Sequence, residues 1–232
     1  MPASVKLRDR NPLAQSRQLS GMDEQVLDVV AVRDVGPDTV AIDFETPEAF
    51  DAQPGQFVKL TLGVDGEDIS RFYTISSPTV DEAFEITVGI DPDGELAPQL
   101  GALEAGDGVR IAGPFGSDYY EGESRAVVLA GGPGVGPAVG IAERALDDGN
   151  EAAVVYQDDA PVHEDRLDAL AEAGALVSVI DSEESLTEPV ADAIEDGGQV
   201  FIYGFADFLD AATEALEAAG VSTDDAKVEN FG

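Results

Sequence analysis

The sequence predicts two domains: a six-stranded antiparallel β-barrel, then an α/β domain built on a five-stranded parallel sheet. Three observations predict it. Over residues 25–113, short alternating apolar runs are separated by turn residues such as Gly36-Pro37-Asp38 and Pro54-Gly55, the rhythm of a small antiparallel barrel. After Gly113-Pro114-Phe115-Gly116 the apolar runs alternate instead with alanine-rich amphipathic segments of helical length, which implies a parallel sheet with helices on both faces. Between the two rhythms Gly, Ser, Asp and Glu cluster at residues 116–124, so the expected domains are 25–120 and 121–232.

In chain order, the barrel strands are expected at 26–32, 40–44, 57–62, from 71 onward, 84–88 and 108–112, with a short helix over 96–103. The sheet strands of the second domain are expected at 126–130, 152–156, 176–180, 200–203 and 227–229. Its helices are expected at 137–146, 164–173, 189–194 and 208–219. Residues 1–24 are expected to form a mobile tail. The first 21 residues hold Lys6, Arg8, Arg10 and Arg17 but only one acid, Asp9, and show no apolar periodicity. Two further readings of that segment are a basic arm for an acidic partner, or a translation artefact with Met22 as the true start.

Charge excludes several functions. The 232 residues carry 48 acids against 12 basic residues, a formal net charge of -36. Nucleic acid and anionic membrane both need Lys and Arg to neutralise phosphate, so neither is an expected partner. The acids run along the whole chain, which favours adaptation to a salty cytoplasm over a local acidic docking face. There is no cysteine, hence no disulfide, cysteine nucleophile or thiolate-held iron–sulfur cluster in this sequence. The lone His163 cannot build a zinc site by itself and is expected at an exposed helix start. No apolar run is long enough to span a membrane, and a cytoplasmic protein is expected.

Two stretches carry chemistry. In Arg71-Phe72-Tyr73-Thr74 strand alternation puts Arg71 and Tyr73 on one face, and Phe72 and Thr74 on the other. A cation, an aromatic with a polar tip and a hydroxyl suit a ligand with a phosphate, a sugar and a ring; an exposed edge strand is the plainer alternative. In the second stretch, the strand Val127-Val128-Leu129-Ala130 runs into Gly131-Gly132-Pro133-Gly134-Val135-Gly136-Pro137. Glycines let backbone N–H groups approach a pyrophosphate, and a following helix adds its dipole. The spacing is neither the dinucleotide Gly-x-Gly-x-x-Gly pattern nor a P-loop, and a purely structural turn is the alternative. Tyr203-Gly204-Phe205 ends a later strand on the side of the sheet where open α/β folds bind ligands.

With these residues in place, residues 25–232 resemble the ferredoxin–NADP reductase family of flavoproteins. The family's Arg-x-Tyr-Ser/Thr strand corresponds to Arg71 through Thr74. Its Gly-Pro-x-Gly corresponds to Gly113 through Gly116. Its nicotinamide-side glycine loop corresponds to Ala130 through Pro137, and its Cys-Gly-Pro to Tyr203-Gly204-Phe205. Its C-terminal Glu-x-Phe/Tyr-Gly corresponds to Glu229 through Gly232. The resemblance implies bound FAD, reduction by NADH or NADPH, and electron delivery to a carrier protein such as ferredoxin. It places Thr74, Tyr203, Glu229 and Phe231 at the reacting centre. Around the flavin nucleotide it places Arg71, Phe72, Tyr73, Thr74, Val88, Gly89, Gly94, Glu95, Leu96 and Ala97. Around the nicotinamide nucleotide it places Gly131, Gly132, Pro133, Gly134, Val135, Gly136, Asp158, Gly204 and Phe205.

The chain departs from the family at several of these positions. Pro133 replaces a Thr, Tyr203 replaces a Cys, Ala97 replaces a Ser, and Gly89 stands where a basic residue is common. These changes leave open weaker FAD binding, FMN, or flavin as a substrate. At the second sheet strand, Tyr156-Gln157-Asp158-Asp159 presents carboxylates that repel a 2′-phosphate and accept hydrogen bonds from a ribose diol, which favours NADH. Arg144 and Arg166 are the cations with a chance of reaching that site. The competing readings are an electron-transfer subunit of a larger complex and a non-catalytic nucleotide-binding module.

Overall fold

The computed structural model describes residues 22–232, so the sequence's basic N-terminal segment, 1–21, lies outside the described residues. Six strands form the first sheet: β1 (Met22–Gly36), β2 (Thr39–Glu45), β3 (Phe57–Val64), β4 (Glu67–Thr74), β5 (Ala83–Gly89) and β6 (Gly108–Phe115), in the order β4-β3-β6-β1-β2-β5. All pairings are antiparallel. A bridge between Ile75 and Ile86 brings the end of β4 against β5 and closes the barrel. Alternation along the strands sends Ile42, Phe44, Leu60, Phe84, Ile86 and Ile111 inward, all fully buried. Phe84 packs at 5.6 Å from Phe44 and 4.9 Å from Phe50. A short helix, α1 (Ala97–Gly101), caps this core with Leu100.

The first strand begins earlier than the sequence indicated. Residues 22–24, assigned above to the tail, already belong to β1, with Met22 paired to Gly113. Glu24 explains this: it accepts a hydrogen bond from Thr61 and lies 3.5 Å from Arg110 and 3.9 Å from Lys59. Two other strands, β3 and β6, thus fix a residue whose local sequence has no strong strand signal.

The second sheet is parallel, in the order β11-β10-β7-β8-β9, from β7 (Arg125–Gly131), β8 (Glu151–Gln157), β9 (Leu176–Ile180), β10 (Gln199–Gly204) and β11 (Lys227–Asn230). Four helices connect them: α2 (Val135–Asp147), α3 (Glu164–Glu172), α4 (Thr187–Ile194) and α5 (Ala206–Ala218). Strand alternation divides the apolar residues between two cores. Val128, Ala130, Val154 and Phe201 face α2 and α3, and Val127, Leu129, Val155 and Ile202 face α4 and α5. No helix among the described residues is long and apolar enough to cross a membrane.

The two sheets meet along α2. A Cβ on Gly136 would lie 2.8 Å from the Thr87 hydroxyl, and one on Gly140 would lie 2.8 Å from the Ser76 carbonyl oxygen. The helix therefore lies against the barrel through two glycines one turn apart, a spacing that puts both on one face.

Candidate functional site where the barrel meets the sheet

Register fixes the faces of β4. Arg71 pairs with Leu60 and Tyr73 with Val58, while Phe72 pairs with Lys59 and Thr74 with Phe57. Directly paired residues share a face, so Arg71 and Tyr73 stand together and Phe72 and Thr74 stand opposite, as alternation requires. Phe72 joins an aromatic cluster with Phe57 (5.5 Å, edge-on) and Phe115 (6.4 Å), away from Arg71. The Arg71 side chain is exposed. Its Nη1 donates to the Ser70 carbonyl and its Nη2 lies 3.8 Å from Glu95. The structure thus brings Arg71 to the segment Gly94-Glu95-Leu96-Ala97. Val88 and Leu96 are buried in the barrel core and offer only backbone to a ligand. Gly89 is exposed, and a Cβ there would meet open space. Tyr73 is half-buried; burial pushes its hydroxyl up to about 12, with Arg71 pulling the other way.

The glycine turn divides into two uses. Gly132-Pro133-Gly134 forms a 3-10 turn leading straight into α2, which starts at Val135 rather than at Pro137. A Cβ on Gly131 would lie 2.4 Å from the Phe208 ring, and one on Gly134 would lie 2.2 Å from the Tyr203 carbonyl oxygen. Gly204 also makes room for Phe208, at 2.8 Å. Val135 is buried and Gly136 meets the barrel. Of this stretch, Gly132 and Pro133 remain partly open to solvent. Gly132 has a left-handed φ of 55° and sits beside Asp158, whose Oδ2 would lie 3.9 Å from a Cβ there. Asp158 accepts hydrogen bonds from Ala160 N–H (2.9 Å) and the Tyr156 hydroxyl (3.1 Å).

The domains meet chemically at Thr74. Its hydroxyl lies 3.2 Å from both carboxylate oxygens of Glu229 on β11. Burial, together with the charge of Asp118, raises the Glu229 carboxyl to about 8, with the Thr74 hydrogen bond opposing the rise. Phe231 donates its backbone N–H to the Gly204 carbonyl, and its ring meets that of Phe205 edge-on at 6.2 Å. Phe205 is half exposed. Tyr203 behaves differently. It is fully buried, donates its hydroxyl to the Asp118 carbonyl, and reaches the space left by the missing side chain of Gly55. Thr74 thus meets Glu229 and Phe205 meets Phe231, while Tyr203, paired in register with Glu229, ties β10 to the segment joining the domains.

Sequence reasoning missed the polar core of the interface. Glu85 on β5 accepts from Arg166 of α3 (2.8 Å), Arg33 of β1 (2.7 Å) and Ser76 (2.9 Å). Arg166 also binds Glu143 and the Ser76 carbonyl, and Arg144 pairs with Asp148. Neither cation reaches Asp158, because each has a carboxylate within its own neighbourhood. His163 is corrected too: it is buried, not exposed. It precedes α3 with φ 58° and its backbone N–H donates to Val35. Its Nε2 lies 2.8 Å from the Thr87 hydroxyl. Thr87 donates onward to Ser76, which donates to Glu85, so each hydroxyl proton is committed and His163 must donate Nε2–H. Burial and the charge of Arg166 hold the imidazole down at about 4, neutral at ordinary pH. The unpaired-looking basic residues Arg33 and Arg166, in so acidic a chain, were the available signal.

Comparison with known proteins fits this geometry. Residues 26–120 match the model of the oxidoreductase FAD-binding domain. The toluate 1,2-dioxygenase electron transfer component of Pseudomonas putida is 29% identical over 221 residues, 86% of this chain and 65% of that protein. The flavodoxin/ferredoxin–NADP reductase of Escherichia coli strain K12 is 35% identical over 97 residues, 40% of this chain and 39% of that protein.

The chain is similar to the ferredoxin–NADP reductase-like flavoproteins.

The same fold occurs in the FAD/NAD-binding domain of nitric oxide dioxygenase from Vibrio cholerae, at 20% identity with a TM-score of 0.78 over 90% of this chain and 98% of that one. The chain spans from about a quarter to two thirds of the length of the curated relatives it matches. The donor set fits FAD. An exposed guanidinium beside an open backbone segment suits a diphosphate, and a half-buried phenol followed by a strand-end hydroxyl suits a flat ring with a polar edge.

Proposed function

We propose that this protein is an NADH-dependent flavoprotein reductase that passes electrons to a carrier protein such as ferredoxin. The observation that carries the reading is the Thr74–Glu229 pair, which joins the flavin strand of the barrel to the terminal strand of the sheet. Bound FAD would supply the exchange of an electron pair from reduced nicotinamide for single electrons. Arg71, with the backbone of residues 94–97, would hold its pyrophosphate, and Tyr73 would support its ring system. Thr74 would stand at the reacting edge, where its hydroxyl orients the Glu229 carboxyl. Glu229, raised to about 8, holds a proton on its carboxyl at neutral pH and shares hydrogen bonding with Thr74 Oγ1. Phe231 and Phe205 would cover the flavin ring and exclude water.

Asp158 supports NADH over NADPH: it borders the open part of the glycine turn, and a carboxylate there repels a 2′-phosphate. Pro133 and Gly132 would then face the dinucleotide, with Gly131, Gly134, Gly136 and Gly204 acting on packing. The partner reading also takes in an oxygenase component, because one relative is an electron transfer component of a dioxygenase. The net charge of -36 supports a protein adapted to a salty cytoplasm, where a Debye length of about 3 Å in molar salt screens self-repulsion. A melting temperature unchanged between molar salt and dilute buffer would count against that adaptation. The function is tested by anaerobic addition of NADH and, separately, NADPH to the FAD-loaded protein in molar salt. Bleaching of the flavin with NADH ahead of NADPH is the expected result; a colourless protein that takes up no FAD overturns the reading.

A further inference from the structure

Glu229 sits on a weak support. Strand β11 has four residues, forms the edge of its sheet and pairs with β10 alone. Such an edge frays easily unless a side chain ties it down. Two residues before Glu229, on the same face of the strand, is Lys227. Its ammonium donates to the Tyr119 carbonyl (2.5 Å), to Glu123 (2.6 Å) and to Glu121 (2.9 Å). It also lies 5.2 Å from the centre of the Phe201 ring on β10. All its carbonyl and carboxylate partners belong to residues 116–124, the segment joining barrel to sheet. The side chain is only 14% exposed, in a sequence with just 12 basic residues. A lysine enclosed by three acceptors is a clamp, not a solvated surface charge.

We infer that Lys227 is a positioning residue for the Thr74–Glu229 pair, fixing the edge strand β11 to the interdomain segment so that the Glu229 carboxyl meets the barrel. The inference rests on the proposal that this pair stands at the reacting centre. Tyr203 grips the same segment at the Asp118 carbonyl, so β10 and β11 are both tied to it, but only β11 carries the carboxyl. Replacing Lys227 leaves Glu123 and the Tyr119 carbonyl without their ammonium, and the strand free to withdraw.

The test is stopped-flow reduction of the FAD-loaded protein by NADH in molar salt, as a function of pH. It compares wild type, Lys227→Met, Glu123→Gln, Glu229→Gln and the double variant Lys227→Met/Glu229→Gln. Lys227→Met is expected to slow the limiting rate about tenfold, roughly 1.4 kcal/mol, with little change in the half-saturating NADH concentration and a changed pH profile. Glu123→Gln, which keeps the lysine, is expected to lower the rate in the same direction, so the inference survives if Lys227→Met does not fold. In the Glu229→Gln background Lys227→Met should add nothing, the signature of action through one residue. Additive losses, or unchanged rates in both Lys227→Met and Glu123→Gln, overturn the inference while leaving the function intact. An unchanged rate in Glu229→Gln removes Glu229 from the reacting centre and overturns this inference, whereas wild type that NADH does not reduce overturns the function reading.

Discussion

Strand β4 and the glycine turn after β7 were the two most informative stretches of the sequence, and they use their residues in opposite ways. On β4 the chemistry is on display: Arg71 is exposed, and Thr74 reaches across to Glu229. In the turn most of the glycines are spent on close packing, against Phe208, the Tyr203 backbone and the barrel. A run of glycines after a strand therefore reports tight approach of any kind, whether the thing approaching is a ligand or the protein itself. Polar and charged residues in an extended strand are harder to explain without a ligand.

This contrast can be broken by mutation. The largest effect is expected at Gly134→Ala, where the new Cβ would lie 2.2 Å from the Tyr203 carbonyl oxygen. Backbone atoms cannot move aside cheaply, so a loss of about 3 kcal/mol, the upper end for overpacking, is expected in chemical denaturation. A loss in nucleotide affinity at unchanged stability would return Gly134 to the ligand.

The interface itself is sharpened by acid. His163 is held at about 4 in the folded protein against an ordinary value of 6.5, so the unfolded chain binds the extra proton first. Stability is fully present above 6.5 and falls as pH drops from there toward 4, by on the order of 3 kcal/mol. His163→Gln should flatten that part of the stability–pH curve; an identical slope in the variant would remove His163 from the account. Glu229 runs the other way. Its raised value means the folded state holds the proton longer, so its contribution declines as pH rises from about 4.5 to about 8.

A smaller effect, and one on binding rather than folding, is expected at Arg71→Ala. A charge-assisted contact to phosphate is worth about 2 kcal/mol, so FAD affinity by fluorescence titration should fall about thirtyfold while the apoprotein melts as before. Unchanged affinity would reduce β4 to an exposed edge.

The two-domain architecture was legible because both periodicities are strong. Alternation of Ile42 and Phe44 or of Val128 and Ala130 is written in single segments, and each segment forms the element expected of it. The Arg71–Thr74 strand was legible for the same local reason. The interface was not. Ser76, Glu85, Thr87, His163 and Arg166 each look ordinary alone, and only folding brings them within 3.1 Å steps of one another. His163 was misplaced because helix-start positions are usually exposed, whereas here the start of α3 lies against the barrel. Tyr203 was placed at the reacting centre by correspondence; its register pairing with Glu229 and its hydrogen bond to the Asp118 carbonyl are contacts that no local pattern announces.

The central claim is that Thr74 and Glu229 act as one unit at the reacting centre. Its most direct test is the limiting rate of flavin reduction by NADH in Thr74→Ala, Glu229→Gln and the double variant, each loaded with FAD. The account predicts that each single variant is slowed about tenfold or more and that the double variant is no slower than the worse single one. Rates equal to wild type in either single variant, or losses that multiply in the double, would contradict it.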